Sequence, residues 1–292
     1  MPKYNIPLNI LRTSKRVCTE NENYDLIMIV KSNLLAWNTR KIFREFMRKE
    51  TSRHPNFKVG YVFSVGQPRE SGGRIFNRDG HTFRLYGPAG DLMEKYDGLS
   101  AEVKKNITAE SEQYDDILMG DYVDTYYNVT RKTITNLRWI STFCDKKRHN
   151  TFLLIDDDHR VNLSMVMKFF ESTPPSILRR TIFGYMLIDN VPTRLESNKW
   201  FVSRREFPME KYPPYPRGFS QFIGADIIDD LAIAFAYTRI DDFPDDVLLG
   251  LLSYKLNISM RNEGNMYGER DYEKYNPDKR PAMVASEEYF KT

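Results

Sequence analysis

Three consecutive aspartates, Asp156, Asp157 and Asp158, end the apolar run Phe152-Leu-Leu-Ile155. A buried strand that runs into carboxylates sets negative charge at the C-terminal edge of a sheet, where open α/β sheets bind ligands. Hard oxygen donors two residues apart suit Mg²⁺ or Mn²⁺, and either ion binds diphosphate oxygens in turn. Asp156 and Asp158 are therefore a candidate pair of metal ligands. Taken alone, the triplet fits a solvated acidic turn equally well. A second acidic group is Asp241, Asp242, Asp245 and Asp246. Asp245 or Asp246 would open a helix, where a carboxylate meets the dipole and the free N–H groups. Capping accounts for one such aspartate better than for two in succession. The other would be ionised near neutral pH and able to take a proton from a hydroxyl within hydrogen-bond reach. A third feature is the pair Arg40 and Arg44, four apart and so on one helix face. Two guanidinium groups near a helix N-terminus can clamp a diphosphate; taken alone, the pair fits a solvated basic face better.

Other chemistries find little footing. No Gly-rich phosphate loop of the G-x-x-x-x-G-K-[ST] form and no G-x-S-x-G elbow occurs. The four histidines, His54, His81, His149 and His159, show no metal-ligand spacing. His81 and His149 are expected at the surface and His54 in a turn; His159, beside the triplet, reads as a surface residue sooner than as a metal ligand. Basic residues number 43 against 40 acidic ones, a balance that argues against a nucleic-acid binder with a concentrated basic face. Cys18 and Cys144 are the only cysteines. They can form one bridge, but nothing local decides it, and two alone make neither a disulfide framework nor a zinc site.

The elements that would position these residues alternate between strand and helix, the signature of an α/β layer. Residues 24–30 form a buried strand, 34–50 a helix, and 57–65 a second strand closed by Gly66. Residues 67–90 are rich in Gly, Pro and Arg and are expected to be a mobile loop. A short strand at 117–118 precedes a long helix, with Asp124 as its N-cap and Val129, Thr133, Leu137, Ile140 and Cys144 along one face. Residues 151–155 form the strand that carries the triplet. Further strands are expected near 181–188 and 199–203, an extended loop at 208–218, and helices near 226–237 and 246–255. The tail from Arg261 is polar, turn-rich and expected to be loosely held. With 41% hydrophobic residues, the chain can bury a sizeable core. No early apolar run is long enough to cross a bilayer; Leu26 to Val30 stops at Lys31.

In order and spacing these blocks resemble the β-1,3-galactosyltransferase and β-1,3-N-acetylglucosaminyltransferase family, which includes the fringe enzymes. The resemblance runs roughly over residues 24–256. The family helix R-x-A-I-R-x-T-W is matched at Arg40 and Arg44 but not in its Thr-Trp ending, and Phe63-Ser-Val-Gly66 is similar to F-L-L-G. The most specific block is Glu110-Ser-Glu-Gln-Tyr114-Asp-Asp116-Ile-Leu118, followed by Asp121-Tyr-Val-Asp124-Thr-Tyr126-Tyr-Asn128-Val-Thr130-Arg-Lys132-Thr133. It resembles E-S-x-x-Y-x-D-I-L and D-F-x-D-S-Y-x-N-L-T-x-K-T. Trp139 and Cys144 also fall in place. Asp156 to Asn162 is similar to D-D-D-V-F-V-N, and Lys199-Trp200 and the Tyr212–Gly218 loop follow. Asp245-Asp246-Val-Leu-Leu-Gly250 is similar to E-D-V-x-x-G.

The resemblance implies an α/β fold of the GT-A type, a nucleotide-sugar-binding fold with a mixed central sheet flanked by helices. It implies an inverting transfer of galactose, N-acetylgalactosamine or N-acetylglucosamine from a UDP-sugar to a glycan acceptor on protein or lipid. Asp158, helped by Asp156, would hold Mn²⁺ or Mg²⁺ against the diphosphate. Asp246 would be the base, Arg40, Arg44 and Asp156 would help bind the nucleotide, and Lys132 would line the donor pocket. Residues 1–20 would be a stem remnant, 21–260 the transferase domain and 261–292 the tail. The family's location is the Golgi membrane, with a lumenal catalytic domain on one N-terminal anchor; no anchor is visible in this chain. Departures also point to an alternative, a weak or inactive relative acting as a binding or chaperone partner. The family has a further metal-ligating His after the E-D-V motif, whereas no His follows His159 here.

Overall fold

The structure is a computed structural model that describes residues 5–20, 23–78, 80–196, 198–239, 244–268 and 281–291. Asp241 and Asp242 lie outside the described residues. Along the chain, β1 (Ile10–Arg12) and β2 (Leu26–Lys31) lead to α1 (Trp37–Arg53) and β3 (Val59–Gln67). A hairpin, β4 (Ile75–Arg78) and β5 (His81–Arg84), precedes α2 (Pro88–Lys95), α3 (Ser100–Tyr114) and β6 (Ile117–Val123). Next come α4 (Val129–Phe143), β7 (Thr151–Asp156), β8 (His159–Val161), α5 (Leu163–Ser172), α6 (Pro175–Leu178) and β9 (Thr181–Leu187). They are followed by β10 (Tyr215–Gly224), α7 (Ile228–Ala236), α8 (Asp245–Lys255), β11 (Ser259–Asn262) and β12 (Val284–Ser286).

The run Leu26–Val30 is wholly buried. A strand apolar on both sides belongs inside a sheet that is covered on both faces. Ile27 and Ile29 face one core with Leu137, Trp139 and Ile140 of α4, and with α7 and α8. Leu26, Met28 and Val30 face the other, with Phe43 of α1, Val103 of α3 and Val166 of α5. The sheet has eight strands in the order β1-β6-β3-β2-β7-β10-β9-β11. β6, β3, β2 and β7 are parallel, and β10 is antiparallel to β7 and to β9. This is the mixed sheet flanked by helices that the resemblance implies.

The chain leaves β2 toward β3 on one side and later returns beside it as β7 on the other. The crevice between β2 and β7 is therefore a switch point, where open sheets take ligands. Register puts Lys31 beside Asp156 at that edge. Because β10 runs the opposite way, its first residues, Tyr215 to Gly218, reach the same edge. α8 lies close against them: a Cβ on Gly250 would collide with Tyr215 Cβ and come within 2.9 Å of the Pro214 carbonyl.

Several expectations are corrected. Residues 67–90 are not a plain loop; they hold the β4–β5 hairpin and the start of α2, packed into a small aromatic core with Tyr127 and Phe201. Residues 199–203 are not a strand, since only an isolated bridge joins Phe201 to Thr193. Asp124 does not cap α4, because a 3-10 turn at Tyr126–Asn128 intervenes. Within the expected stem remnant, the described residues 5–20 are tied to the rest of the chain: β1 pairs with β6, and Cys18 is disulfide-bonded to Cys144. The stretch from Arg261 is not loosely held where it is described. β11 joins the main sheet, β12 pairs with β8, and Met266, Tyr267 and Ala282 to Ala285 are buried.

Candidate active site

Lys31 ends β2 because the next residues must turn away from the sheet edge. Its ammonium stays buried there among carboxylates, 3.0 Å from Asp156 and 3.6 Å from Asp245, and donates to the Gly218 carbonyl at 2.6 Å. Burial alone would lower this ammonium, but Asp156, Asp245 and Asp246 outweigh it and hold it above the ordinary lysine value. One lysine thus joins the triplet at the end of β7 to the acidic start of α8. The sequence offered a signal for it, since Lys31 and Asp156 each follow an apolar run on a central strand.

Around this junction opens a cleft of ≈ 770 Å³, within the range of small-molecule sites. Asp156, Asp158 and Asp246 all line it, as do Lys31 and Lys132. Asp158 is the open member of the triplet, with its side chain 56% exposed. Burial would raise its pKa, but His159 outweighs that and holds it below the usual carboxylate range. Asp156 is pushed up by burial against the pull of Lys31, and the Asp158 charge adds to the rise. Asp157 turns inward to accept from Ser32 Oγ at 2.6 Å. Burial pushes it up to about 6 against that hydrogen bond, with repulsion from Asp158 and Asp156 adding to the rise.

Asp246 sits in the first turn of α8. Its Oδ1 accepts from its neighbour Val247 N at 2.8 Å, and its Oδ2 from Gly218 N at 3.2 Å. Burial and the adjoining Asp245 charge nevertheless push it up to about 7. From the sequence a carboxylate ionised near neutral pH is expected; here two acids in succession at a half-buried helix end repel each other and raise this one toward neutrality. Asp245 is the more buried of the two and accepts from Thr133 Oγ1 at 2.7 Å.

Lys132 lines the cleft but is held from behind, paired with Asp124 at 3.0 Å and donating to the Ser32 carbonyl. The other Asp124 oxygen accepts from Leu34 N and Gly66 N, both at 3.1 Å. These contacts shape the β2–α1 loop that forms the cleft floor. Arg40 and Arg44 are placed differently from the expectation, for neither lines the cleft. Arg40 is fully buried; it pairs with Glu110 at 2.6 Å and donates to the Asn33 and Leu34 carbonyls. Arg44 pairs with Glu110 at 2.7 Å and Asp116 at 2.8 Å. Arg40 ties α1 to α3 and to the β2–α1 loop, and Arg44 ties it to α3 and to Asp116 just ahead of β6, so both are spent on those acids.

Three further residues carry no role in the sequence reading beyond their place in motif blocks. Trp200 packs edge-on to Tyr126 with centroids 5.4 Å apart, and Lys199 lies over both rings. All three line the cleft. The Lys199-Trp200 pair was matched as a motif, but its meeting with Tyr126 joins segments far apart in sequence. His159 and His149 are not at the surface; both are buried.

Fold and cleft define an α/β protein with an acidic cleft at the switch point of its sheet. The family model described as Galactosyltransferase matches residues 95–264. The β-1,3-galactosyltransferase brn of Drosophila melanogaster is 30% identical over 196 residues, which is 66% of this chain and 58% of that protein. Human β-1,3-galactosyltransferase 1 is 32% identical over 154 residues, 52% of this chain and 45% of that protein. The chain thus spans about half the length of the curated relatives it matches. Among solved structures, a glycosyltransferase involved in the glycosylation of the major capsid of PBCV-1 aligns with a TM-score of 0.45 at 10% identity, covering 90% of this chain and 92% of that one. That looser likeness adds nothing to the assignment. The chain belongs to the galactosyltransferase family.

Proposed function

We propose that the protein transfers galactose from UDP-galactose to a hydroxyl of an acceptor sugar, in β-1,3 linkage and with inversion. The observation that carries this reading is the convergence of Asp158, Asp246 and Lys31 on one cleft at the switch point. The names of the similar proteins, β-1,3-galactosyltransferases, support the choice of sugar and linkage. The acceptor oxygen bonds to the anomeric carbon as the bond from that carbon to the diphosphate breaks. Asp246 takes the acceptor proton, and its value near 7 suits a general base at neutral pH. Lys31 keeps the carboxylates on either side compatible before donor binds. The faces of Tyr126 and Trp200 offer sugar rings an apolar wall.

A divalent cation fits the donor set. Asp158 opens on the cleft, and Asp156 gives Lys31 only its Oδ1. Among the described residues no three His, Cys, Asp or Glu side chains gather as a complete ion site. The remaining coordination positions would then fall to diphosphate oxygens and water, as hard cations commonly have them. Such an ion supplies charge neutralisation on the departing UDP.

The reading extends to location. The Cys18–Cys144 disulfide supports an oxidising, lumenal compartment such as the Golgi. Among the described residues no helix is long and apolar enough to cross a membrane.

The test is UDP release from a panel of UDP-sugars with Mn²⁺, using wild type, Asp158→Ala and Asp246→Asn. Turnover is expected with UDP-galactose and a galactose- or hexosamine-terminated acceptor, and its loss in both variants. No turnover for any donor–acceptor pair sinks the reading.

A further inference from the structure

Three lysines line the cleft, and two of them are committed to neighbouring acids. Lys31 pairs with Asp156 and Asp245, and Lys132 with Asp124. Lys199 has no carboxylate partner among the described residues. Its ammonium lies instead over two rings, 5.2 Å from the Tyr126 centroid and 5.0 Å from that of Trp200. A lysine that served only solubility would extend its ammonium into water; this one is folded onto the aromatic wall of the cleft. Its backbone is fixed from behind. A bridge joins Thr193 to Phe201, and the Arg194 guanidinium donates to the carbonyls of Val202, Phe207 and Met209. The loop is therefore held while the side chain keeps its freedom to swing.

We propose that Lys199 binds the diphosphate of the nucleotide-sugar donor and stabilises the charge that builds on UDP as it leaves. The inference rests on the transferase reading given above and names a side-chain cation for its donor. The diphosphate brings negative charge into a cleft already lined by Asp156, Asp158, Asp245 and Asp246. Arg40 and Arg44 do not offset it, since neither lines the cleft, and Lys31 is held among the aspartates. Arg217, also at the cleft, lies over the Tyr185 ring at 5.5 Å. An exposed cation–π contact is weaker than a charge-assisted hydrogen bond to phosphate, so the ammonium leaves the rings when the donor enters. The flexible four-carbon stem allows that swing without moving the loop. In the reaction the acceptor oxygen bonds to the anomeric carbon and its proton passes to Asp246. The electron pair of the breaking bond stays on the β-phosphate oxygen. A positive charge beside that oxygen stabilises the transition state more than the intact donor, because the negative charge grows there as the bond breaks.

The test is calorimetric titration of the whole protein with uridine, UMP and UDP, at fixed ionic strength and with Mn²⁺ present. Wild type is compared with Lys199→Met, which keeps the stem against the rings and removes the charge, and with Lys199→Arg. Lys199 is exposed, so neither substitution disturbs the core. The affinity for UDP is expected to fall about 10–100-fold in Lys199→Met, that for UMP by less, and that for uridine not at all. Lys199→Arg recovers part of the loss. With UDP-galactose as donor, kcat falls in Lys199→Met while the acceptor KM stays at the wild-type value. Equal losses for uridine and UDP overturn the inference, because they report a disturbed site and not a lost charge. Unchanged UDP binding with a raised acceptor KM places Lys199 on the acceptor and also overturns it; both results leave the transferase reading standing. A wild-type protein that binds neither uridine nor UDP overturns the transferase reading and this inference together.

Discussion

Replacing Asp246 by Asn separates what this carboxylate costs the fold from what it does for chemistry. Burial and the Asp245 charge push Asp246 up to about 7, against about 3.9 in an unfolded chain. The folded protein therefore holds this proton more tightly than the unfolded one. The stabilisation is complete below about pH 3.9 and is lost as pH rises through about 7. A difference of about 3 pK units corresponds to roughly 4 kcal/mol. The side chain is only partly buried, so water screens much of this, leaving about 2 kcal/mol as the working figure. Asparagine escapes that cost but keeps only one of the two backbone contacts from Val247 and Gly218, losing about 1 kcal/mol at every pH. D246N should melt below wild type near about pH 4.5 and above it near about pH 8, a swing of roughly 4–8 °C. Scanning calorimetry across that range, with chelator and at fixed ionic strength, reads it directly. A constant offset, or a deficit that grows with pH, refutes the electrostatic reasoning.

Other perturbations probe the remaining parts. Lys31→Met leaves Asp156, Asp245 and Asp246 without their shared cation, so the acid limb of the pH–rate profile should move above about pH 7. It should also cost about 3–5 kcal/mol near neutral pH, measured by urea melts. Arg40→Met removes one of the two arginines paired with Glu110 and leaves Arg44, so it should cost about 1–3 kcal/mol; below its melting range the KM for UDP-galactose stays at the wild-type value, because Arg40 does not reach the cleft. A raised KM at full folding would restore the nucleotide-clamp role. Of the four N-x-[ST] sequons, Asn106 and Asn257 are exposed. Asn128 donates to the Val123 carbonyl and Asn162 caps α5. Peptide mapping after secretory expression should find glycan on the first pair and not on the second.

The parts legible in the sequence were those in which short-range pattern and burial agree. The continuous apolar runs of β2 and β7 admit no surface placement, and the carboxylates that follow β7 must lie at the sheet edge. The missed parts depend on partners that sequence distance conceals. Arg40 and Arg44 were assigned to a ligand because their acids, Glu110 and Asp116, come some 70 positions later. Those acids lie in the Glu110–Leu118 motif block, so pairing the charges of the two blocks was the available signal. In sequence Lys31 is only the end of an apolar run; its role needs the β2–β7 register and the arrival of α8. His159 looks exposed in sequence because the strand that covers it, β12, returns from the C-terminal stretch expected to be loose. The hairpin at 75–84 was obscured by its Gly- and Arg-rich surroundings, and only its contact with Tyr127 and Phe201 makes it a unit.

The most direct test of the central claim is an NMR determination of the product formed from UDP-galactose and a galactose- or hexosamine-terminated acceptor. UDP-galactose is α-linked, so in-line attack by an acceptor hydroxyl activated by Asp246 predicts a new galactose in β linkage at O3, absent with D246N. An α-linked product, a linkage at another hydroxyl, or release of free galactose with the acceptor unchanged would contradict the account.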